Sequence, residues 1–189
     1  MTDSLSEAQR DTKRHIALIG FMGAGKTCIS CELAARYGRA RIDLDEHIEQ
    51  KLGKTIAEIF QQDGERRFRE LEFEALTETL SRPDTTIIAC GGGTVTNPES
   101  LALLRASAVL VYLHVAAERA LTRIDDWTTR PLLTLAGSAD AVYALAQSRL
   151  ALYEAASDIS VNTDKRNIAE VSDCVVQRLK KAGYGQLLS

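Results

Sequence analysis

Residues 20–27 read Gly-Phe-Met-Gly-Ala-Gly-Lys-Thr, and no other stretch constrains the fold of this chain as tightly. The octapeptide fills every fixed position of the phosphate-binding pattern G-x-x-x-x-G-K-[ST]. Its flanks have the character that the pattern needs. The apolar run Ile16–Ile19 in front reads as a buried strand, and Lys26–Tyr37 behind reads as a helix. Glycines let the backbone turn tightly with several N–H groups facing inward. The helix N-terminus behind them adds partial positive charge, so phosphate oxygens are well placed there. Lys26 is positioned to reach the outer phosphates, and the Thr27 hydroxyl suits Mg²⁺. A chain built this way binds a nucleoside triphosphate.

The remaining sequence alternates short apolar runs with longer helical patterns, which predicts βαβ units and a parallel sheet. Strands are expected at His15–Ile19, Ala40–Leu44, Thr86–Cys90, Ala108–Val115 and Ile159–Asn162. Helices are expected at Lys26–Tyr37, Glu46–Leu52, Ile56–Gln62, Arg66–Leu80, Pro98–Arg105, Ala117–Ile124, Ala139–Ala155 and Ile168–Lys181. Asn97 with Pro98 reads as a cap and first helical position. Gly38 reads as a helix stop.

A length of 189 residues suits one domain, here 15–189. Met1–Arg14 is polar and reads as a mobile tail; its Asp3, Glu7 and Asp11 argue against a transit peptide. The apolar runs are far too short to span a bilayer. A net charge of −3 does not point to nucleic acid or an acidic membrane surface. The four cysteines, with no secretion signal, are expected as free thiols in the cytoplasm. Cys28 and Cys31 form a C-x-x-C without a second pair or a His pair, so packing is the expected role. No long heptad pattern stands out, so a monomer is expected.

Three groups of residues carry further chemistry. Asp43-Leu-Asp45 ends the second strand run, where residues two apart share a face. One carboxylate could hold Mg²⁺ directly or through water and the other orient or deprotonate an acceptor hydroxyl, or Asp45 could cap the following helix. Gly91-Gly92-Gly93 follows the third strand, where many phosphate-loop proteins place an acid; bare backbone there favours a small second substrate over a GTPase-type switch. Arg69, Arg123, Arg130 and Arg149 could together clamp phosphates and a carboxylate. Asp125–Ser138, a mixed charged stretch between helices, reads as a functional loop suited to a lid over ATP.

Taken in order, these segments resemble shikimate kinases. The matching pieces are Gly20–Thr27, Ile42-Asp-Leu-Asp45, Ile56-Ala-Glu-Ile-Phe60, Gly64-Glu-x-x-Phe68-Arg69-x-x-Glu72, Gly91–Gly93, Arg130-Pro-Leu-Leu133 and Arg149-x-x-x-Tyr153. They cover almost the whole chain beyond the tail. The resemblance implies an α/β, three-layer phosphate-loop kinase fold of the nucleoside monophosphate kinase type, with a five-stranded parallel sheet flanked by helices. It implies transfer of the ATP γ-phosphoryl group to the 3-hydroxyl of shikimate, on the route to chorismate and aromatic amino acids. By the same resemblance, Gly23, Ala24, Gly25, Lys26, Thr27 and Cys28 bind ATP, with Arg123 and the Lys165-Arg166 region near the adenine. Arg130 reaches the phosphates from the lid and steadies transition-state charge. Shikimate is bound by Asp45, Arg69, Gly91, Gly92, Gly93 and Arg149, with Arg69 and Arg149 on its carboxylate and Phe60 and Phe68 walling the pocket. Thr27 ligates Mg²⁺, and Asp43 acts on it through water. Lys26, Asp45 and Arg130 form the catalytic set.

Thr27 stands where Ser is commoner, a chemically equivalent change, and Trp127 in the lid is unusual. The rival readings are another small-molecule kinase, such as a gluconate kinase, or a nucleotide switch. The first need not keep Asp45, Arg69, Gly91–Gly93 and Arg149 together. The second would show Asn-Lys-x-Asp; Asn162-Thr-Asp-Lys165 has the wrong order.

Overall fold

The computed structural model of the chain describes residues 13–123 and 138–189. Five strands form one parallel sheet: β1 (His15–Ile19), β2 (Ala40–Asp43), β3 (Thr86–Ala89), β4 (Ala108–His114) and β5 (Ile159–Asn162), in the order β2-β3-β1-β4-β5. The three central strands β3, β1 and β4 read as near-continuous apolar runs because helices cover both faces, while the edge strands β2 and β5 mix apolar and polar residues. Ile16, Ala17, Leu18, Ile87, Ile88, Val109, Leu110 and Val111 are all fully buried. Register pairs Leu18 with Ala89 and with Val111, so β1 sits at the sheet centre with its carboxyl end between those of β3 and β4.

Helices α1 (Lys26–Tyr37), α2 (Leu44–Leu52), α3 (Ile56–Leu80), α4 (Pro98–Ser107), α5 (Ala117–Thr122), α6 (Ala139–Ala156) and α7 (Ile168–Lys181) complete the described chain, with short 3₁₀ turns at Thr94–Thr96 and Gly185–Leu188. The crossover β1-α1-β2 runs one way along the sheet, and β3-α4-β4 runs the other. Right-handed crossovers in opposite directions put their helices on opposite faces. The crossovers leaving β1 and β3 run in opposite directions, and the switch point between these neighbouring strands is where open α/β sheets bind ligands, beyond the carboxyl ends of the strands. This is the phosphate-loop kinase fold that the resemblance implies.

Local signals set the boundaries. Asn97 Oδ1 accepts from the N–H groups of Glu99 (2.8 Å) and Ser100 (3.1 Å), with Pro98 at the first helical position. Gly38 ends α1 at φ 60°, its N–H bonded to Ala34. The two helices expected across 56–80 are continuous except at Gly64, whose φ 80° and ψ 168° break the helix between them. Helix α2 begins two residues earlier than expected. Asp43 is its cap, accepting from the N–H groups of Asp45 and Glu46. The expected strand over Ala40–Leu44 therefore stops at Asp43, and Asp45 stands in a first helical turn, not on a strand. The shared strand face does not relate the two acids, and Asp45 is not the cap.

The described chain starts before His15. Lys13 is buried, with its ammonium 2.6 Å from Asp158 Oδ2, and the Arg14 N–H donates to Ser107 O at 2.9 Å. Lys13 and Arg14, expected within the tail, are thus held by the domain, and residues 1–12 lie outside the described residues. Most of the expected lid, with Trp127 and Arg130, also lies outside it. Ser138, at its end, caps α6 by accepting from the Ala141 N–H.

Candidate active site

A cleft of about 1420 Å³ opens above the carboxyl ends of the central strands, and it gathers most of the residues singled out from the sequence. Its floor is the turn from β1 into α1. Gly25 precedes the helix with φ 89° and no side-chain cap. The Ile29 N–H makes a first helical bond to Gly25 O at 2.9 Å, so the N–H groups of Thr27 and Cys28 stand ahead of the helix's own bonding pattern. Those donors and the helix dipole form an anion cradle. Gly23 has φ 75°, and a Cβ there would lie 2.7 Å from Ala120 O, so only glycine fits. The Lys26 ammonium donates to Gly20 O (2.8 Å) and Phe21 O (3.1 Å), which keeps it within the loop that it closes.

Thr27 and Asp43 lie next to this cradle. The Thr27 hydroxyl donates to Asp43 Oδ2 at 2.7 Å, and Arg41 approaches the same oxygen at 3.5 Å while its fork holds Glu46. Among the described residues no cluster of three or more His, Cys, Asp or Glu side chains is gathered as a metal cage. Mg²⁺ does not need one: it keeps several waters and binds through one or two protein oxygens plus substrate phosphates. The hard oxygens of Thr27 and Asp43 beside a phosphate cradle fit that mode.

The opposite wall is cationic and aromatic. Phe60 and Phe68 meet at 4.7 Å between ring centroids, and the Arg69 guanidinium lies 5.2 Å over the Phe68 ring. Arg69 bonds Glu72 (2.8 Å) and Glu65 (3.0 Å). Burial works against its charge, but the carboxylates of Glu72 and Glu65 outweigh that and raise its pKa. Glu72 is 1 % exposed and also accepts from Thr94 Oγ1 at 2.6 Å. Arg149, on α6, is buried and donates to Gly92 O at 3.1 Å.

The glycine triplet has a reason beyond an open backbone. A Cβ at Gly91 would fall 2.4 Å from Glu72 Oε1, and one at Gly93 would fall 2.4–2.7 Å from the Arg69 guanidinium. The glycines let the site's own charged side chains close over the strand end. Asp45 sits across from Gly91, 3.2 Å from the same projected Cβ, so both acids reach the cleft although strand alternation does not place them.

At the far end, Arg123 links Gly23 O (3.3 Å) to Thr163 Oγ1 (3.0 Å) and Thr163 O (2.8 Å), and Arg166 donates to Asn162 O at 3.0 Å. Both arginines line the cleft. Ile168 lines it as well and is among the exposed large apolar residues. Cys28 and Cys31 are exposed, so their expected packing role is not what the structure shows; Cys28 lines the cleft. Cys90 is buried, and its thiol pKa is pushed well up by burial, so it stays a neutral thiol.

Sequence reasoning assigned no role to Glu72, Thr94, Tyr153 or Arg41. Glu72 had a signal, an acid one helical turn after Arg69. Arg41 lies two residues before Asp43 and five before Glu46, and Tyr153 follows Arg149 by one turn, whereas the bond from Thr94 to Glu72 joins distant elements that nothing local announces.

A family model for shikimate kinase matches residues 22–180. The chain belongs to the shikimate kinase family. A shikimate kinase of Dehalococcoides mccartyi is 40% identical over 170 residues, which span 90% of this chain and 96% of that protein. The structure of a shikimate kinase from Acinetobacter baumannii in complex with shikimate superposes with a TM-score of 0.85 at 32% identity, covering 90% of this chain and 94% of that one. A gluconokinase from Sinorhizobium meliloti shares only the fold, at 15% identity and a TM-score of 0.54 over 90% of this chain.

Proposed function

We propose that this chain transfers the γ-phosphoryl group of ATP to the 3-hydroxyl of shikimate, giving shikimate 3-phosphate on the route to aromatic amino acids. One observation carries the reading. The phosphate cradle at 20–27 and a wall built from Arg69, Arg149 and the glycine triplet share a single cleft. A nucleotide triphosphate and a small hydroxylated carboxylic acid are the two ligands that such walls complement.

Phosphoryl transfer asks for positioning and charge neutralisation more than for covalent work. The N–H groups of Thr27 and Cys28 and the Lys26 ammonium hold the β- and γ-phosphates. Arg69 and Arg149 take the shikimate carboxylate in the bidentate manner that suits guanidinium. Phe60 and Phe68 exclude water behind the ring. Asp45 accepts a hydrogen bond from the 3-hydroxyl and turns its oxygen toward the γ-phosphorus. Bound Mg²⁺ would neutralise phosphate charge, held by Thr27 directly and by Asp43 through water. Arg123 and Arg166 border the nucleotide base. Arg130, in a lid over about 125–138, adds positive charge to the transferring group.

The enzyme is expected to act as a monomer in the cytoplasm, without nucleic acid or membrane. Its described cysteines are free, which suits a reducing compartment. Among the described residues no helix is long and apolar enough to cross a membrane.

The test is Mg²⁺-dependent ADP release with shikimate, with gluconate and with no acceptor. Release only with shikimate is expected. Release with gluconate alone would remove Arg69 and Arg149 from the substrate site, and release without any acceptor would make the chain an ATPase.

A further inference from the structure

Two donors from α6 converge on one carbonyl of the glycine triplet. The Tyr153 hydroxyl donates to Gly92 O at 2.5 Å, and Arg149 Nη1 donates to the same oxygen at 3.1 Å. Tyr153 is 1 % exposed, and its ring stacks on Tyr112 with centroids 5.3 Å apart and planes at 21°. The ring has no freedom to carry its hydroxyl elsewhere. The peptide that it holds is unusual in having glycine on both sides, Gly92 and Gly93. Neither residue has a Cβ to oppose rotation of that plane, so the backbone by itself does little to fix its orientation. In a trans peptide the C=O and the following N–H point in opposite directions. One orientation therefore sends the Gly92 carbonyl to α6 and the Gly93 N–H away from it. The flipped one would turn an acceptor oxygen toward the ground where an anionic, hydroxylated acid binds.

We propose that Tyr153 is a positioning residue: with Arg149 it locks the Gly92–Gly93 peptide in the orientation that keeps its carbonyl out of the substrate pocket and presents the Gly93 N–H as a donor. The inference rests on the reading that Arg149 and the glycine triplet bind the substrate. Its signature is specific to one substrate. Among the described residues the Tyr153 hydroxyl bonds Gly92 O and no group of the phosphate loop, so its removal should act on shikimate more than on the nucleotide. Arg149 alone then restrains the peptide, and its guanidinium must divide itself between Gly92 O and the substrate.

The experiment uses the full chain with Tyr153→Phe, which keeps the stacked ring and deletes one oxygen. A Tyr112→Phe control removes a hydroxyl from the same stack without touching Gly92. Expected for Tyr153→Phe is a rise in KM for shikimate of about three- to tenfold, the scale of one net hydrogen bond, with KM for ATP and ADP affinity at wild-type values. The Gly93 amide resonance is expected to shift in Tyr153→Phe and to hold still in Tyr112→Phe. An unchanged shikimate KM together with an unmoved Gly93 amide overturns the proposal, even if the variant melts earlier. Arg149→Ala separates the two readings. If it raises the shikimate KM while Tyr153→Phe does not, the lock is wrong and the substrate site stands. If neither variant changes the shikimate KM, the substrate site itself is wrong.

Discussion

Gly93→Ala isolates the fit between the glycine triplet and Arg69. The backbone at Gly93 has φ −104° and ψ −7°, which alanine adopts, so the substitution carries little backbone strain. The new methyl would instead stand 2.4 Å from Arg69 Nη1, 2.6 Å from Nη2 and 2.7 Å from Cζ. Ordinary contact begins at 3.4 Å, so the guanidinium must retreat by about 1 Å. It is the far end of a flexible side chain, and moving it is cheap for the fold. For binding the move is expensive, because a fork displaced by that much no longer meets a carboxylate squarely. Losing one charge-assisted bond costs about 1.5–3 kcal/mol. At about 1.4 kcal/mol per tenfold, KM for shikimate should rise roughly 10- to 150-fold. ADP affinity should not change, and Tm should fall by no more than a few degrees. Gly91→Ala is the contrast. Its methyl would meet Glu72 Oε1 at 2.4 Å, and Glu72 is short, buried and doubly bonded. There the overpacking has nowhere to go, so a loss of about 1–3 kcal/mol of stability is expected. Steady-state kinetics with shikimate varied, ADP titration calorimetry and thermal melts give the three readouts. A Gly93→Ala enzyme with wild-type KM for shikimate would refute the reasoning, since Arg69 would then not need its place against the triplet.

Lys26→Ala should lower kcat by about 100-fold or more with the fold intact, because it removes a charge aimed at the transferring phosphoryl group; near-normal turnover with an unchanged melt would discard the phosphate-loop assignment. Thr27→Val keeps shape and removes the hydroxyl bonded to Asp43, so the gain in ADP affinity that Mg²⁺ provides should shrink, and calorimetry with and without Mg²⁺ reads it directly. His15 gives a pH prediction. Burial lowers its pKa below the ordinary 6.5, the Arg14 and Arg82 charges add to that, and the bond to Leu80 O opposes it. The Thr86 N–H donates to its Nδ1 at 3.3 Å, so Nδ1 must be the unprotonated nitrogen and Nε2 the donor to Leu80 O. The unfolded chain therefore takes up a proton that the folded chain refuses, and stability present above pH 6.5 is lost as pH falls below it. Proton NMR should show the His15 ring titrating below 6.5; titration at or above that value would contradict the buried neutral ring.

The fold was legible where local and global preferences agree. Buried parallel strands read as near-continuous apolar runs, and those at Ile16–Ile19, Ile87–Ala89 and Ala108–Leu113 do so. The phosphate loop is a short contiguous device, and a contiguous pattern finds it. The site was less legible wherever its geometry depends on something non-local. Asp43 and Asp45 look like strand neighbours in a sequence, but a carboxylate that accepts two N–H groups ahead of it starts a helix at once, and the strand yields. The triplet at 91–93 reads as open backbone because the side chains that need its emptiness, Glu72 and Arg69, come from a helix twenty residues earlier. Exposure of Cys28 and Cys31 was hidden because a helix pattern does not say which of its faces another element covers.

The claim on which the rest depends is that one cleft moves phosphate from ATP to a single hydroxyl of shikimate. Two-dimensional proton–phosphorus NMR of the reaction mixture tests it most directly. The account predicts one new phosphate ester whose phosphorus couples to the proton on C3 of shikimate, formed at the rate at which ATP is consumed. Coupling to a different ring proton, or ATP consumption that yields only inorganic phosphate, would contradict it.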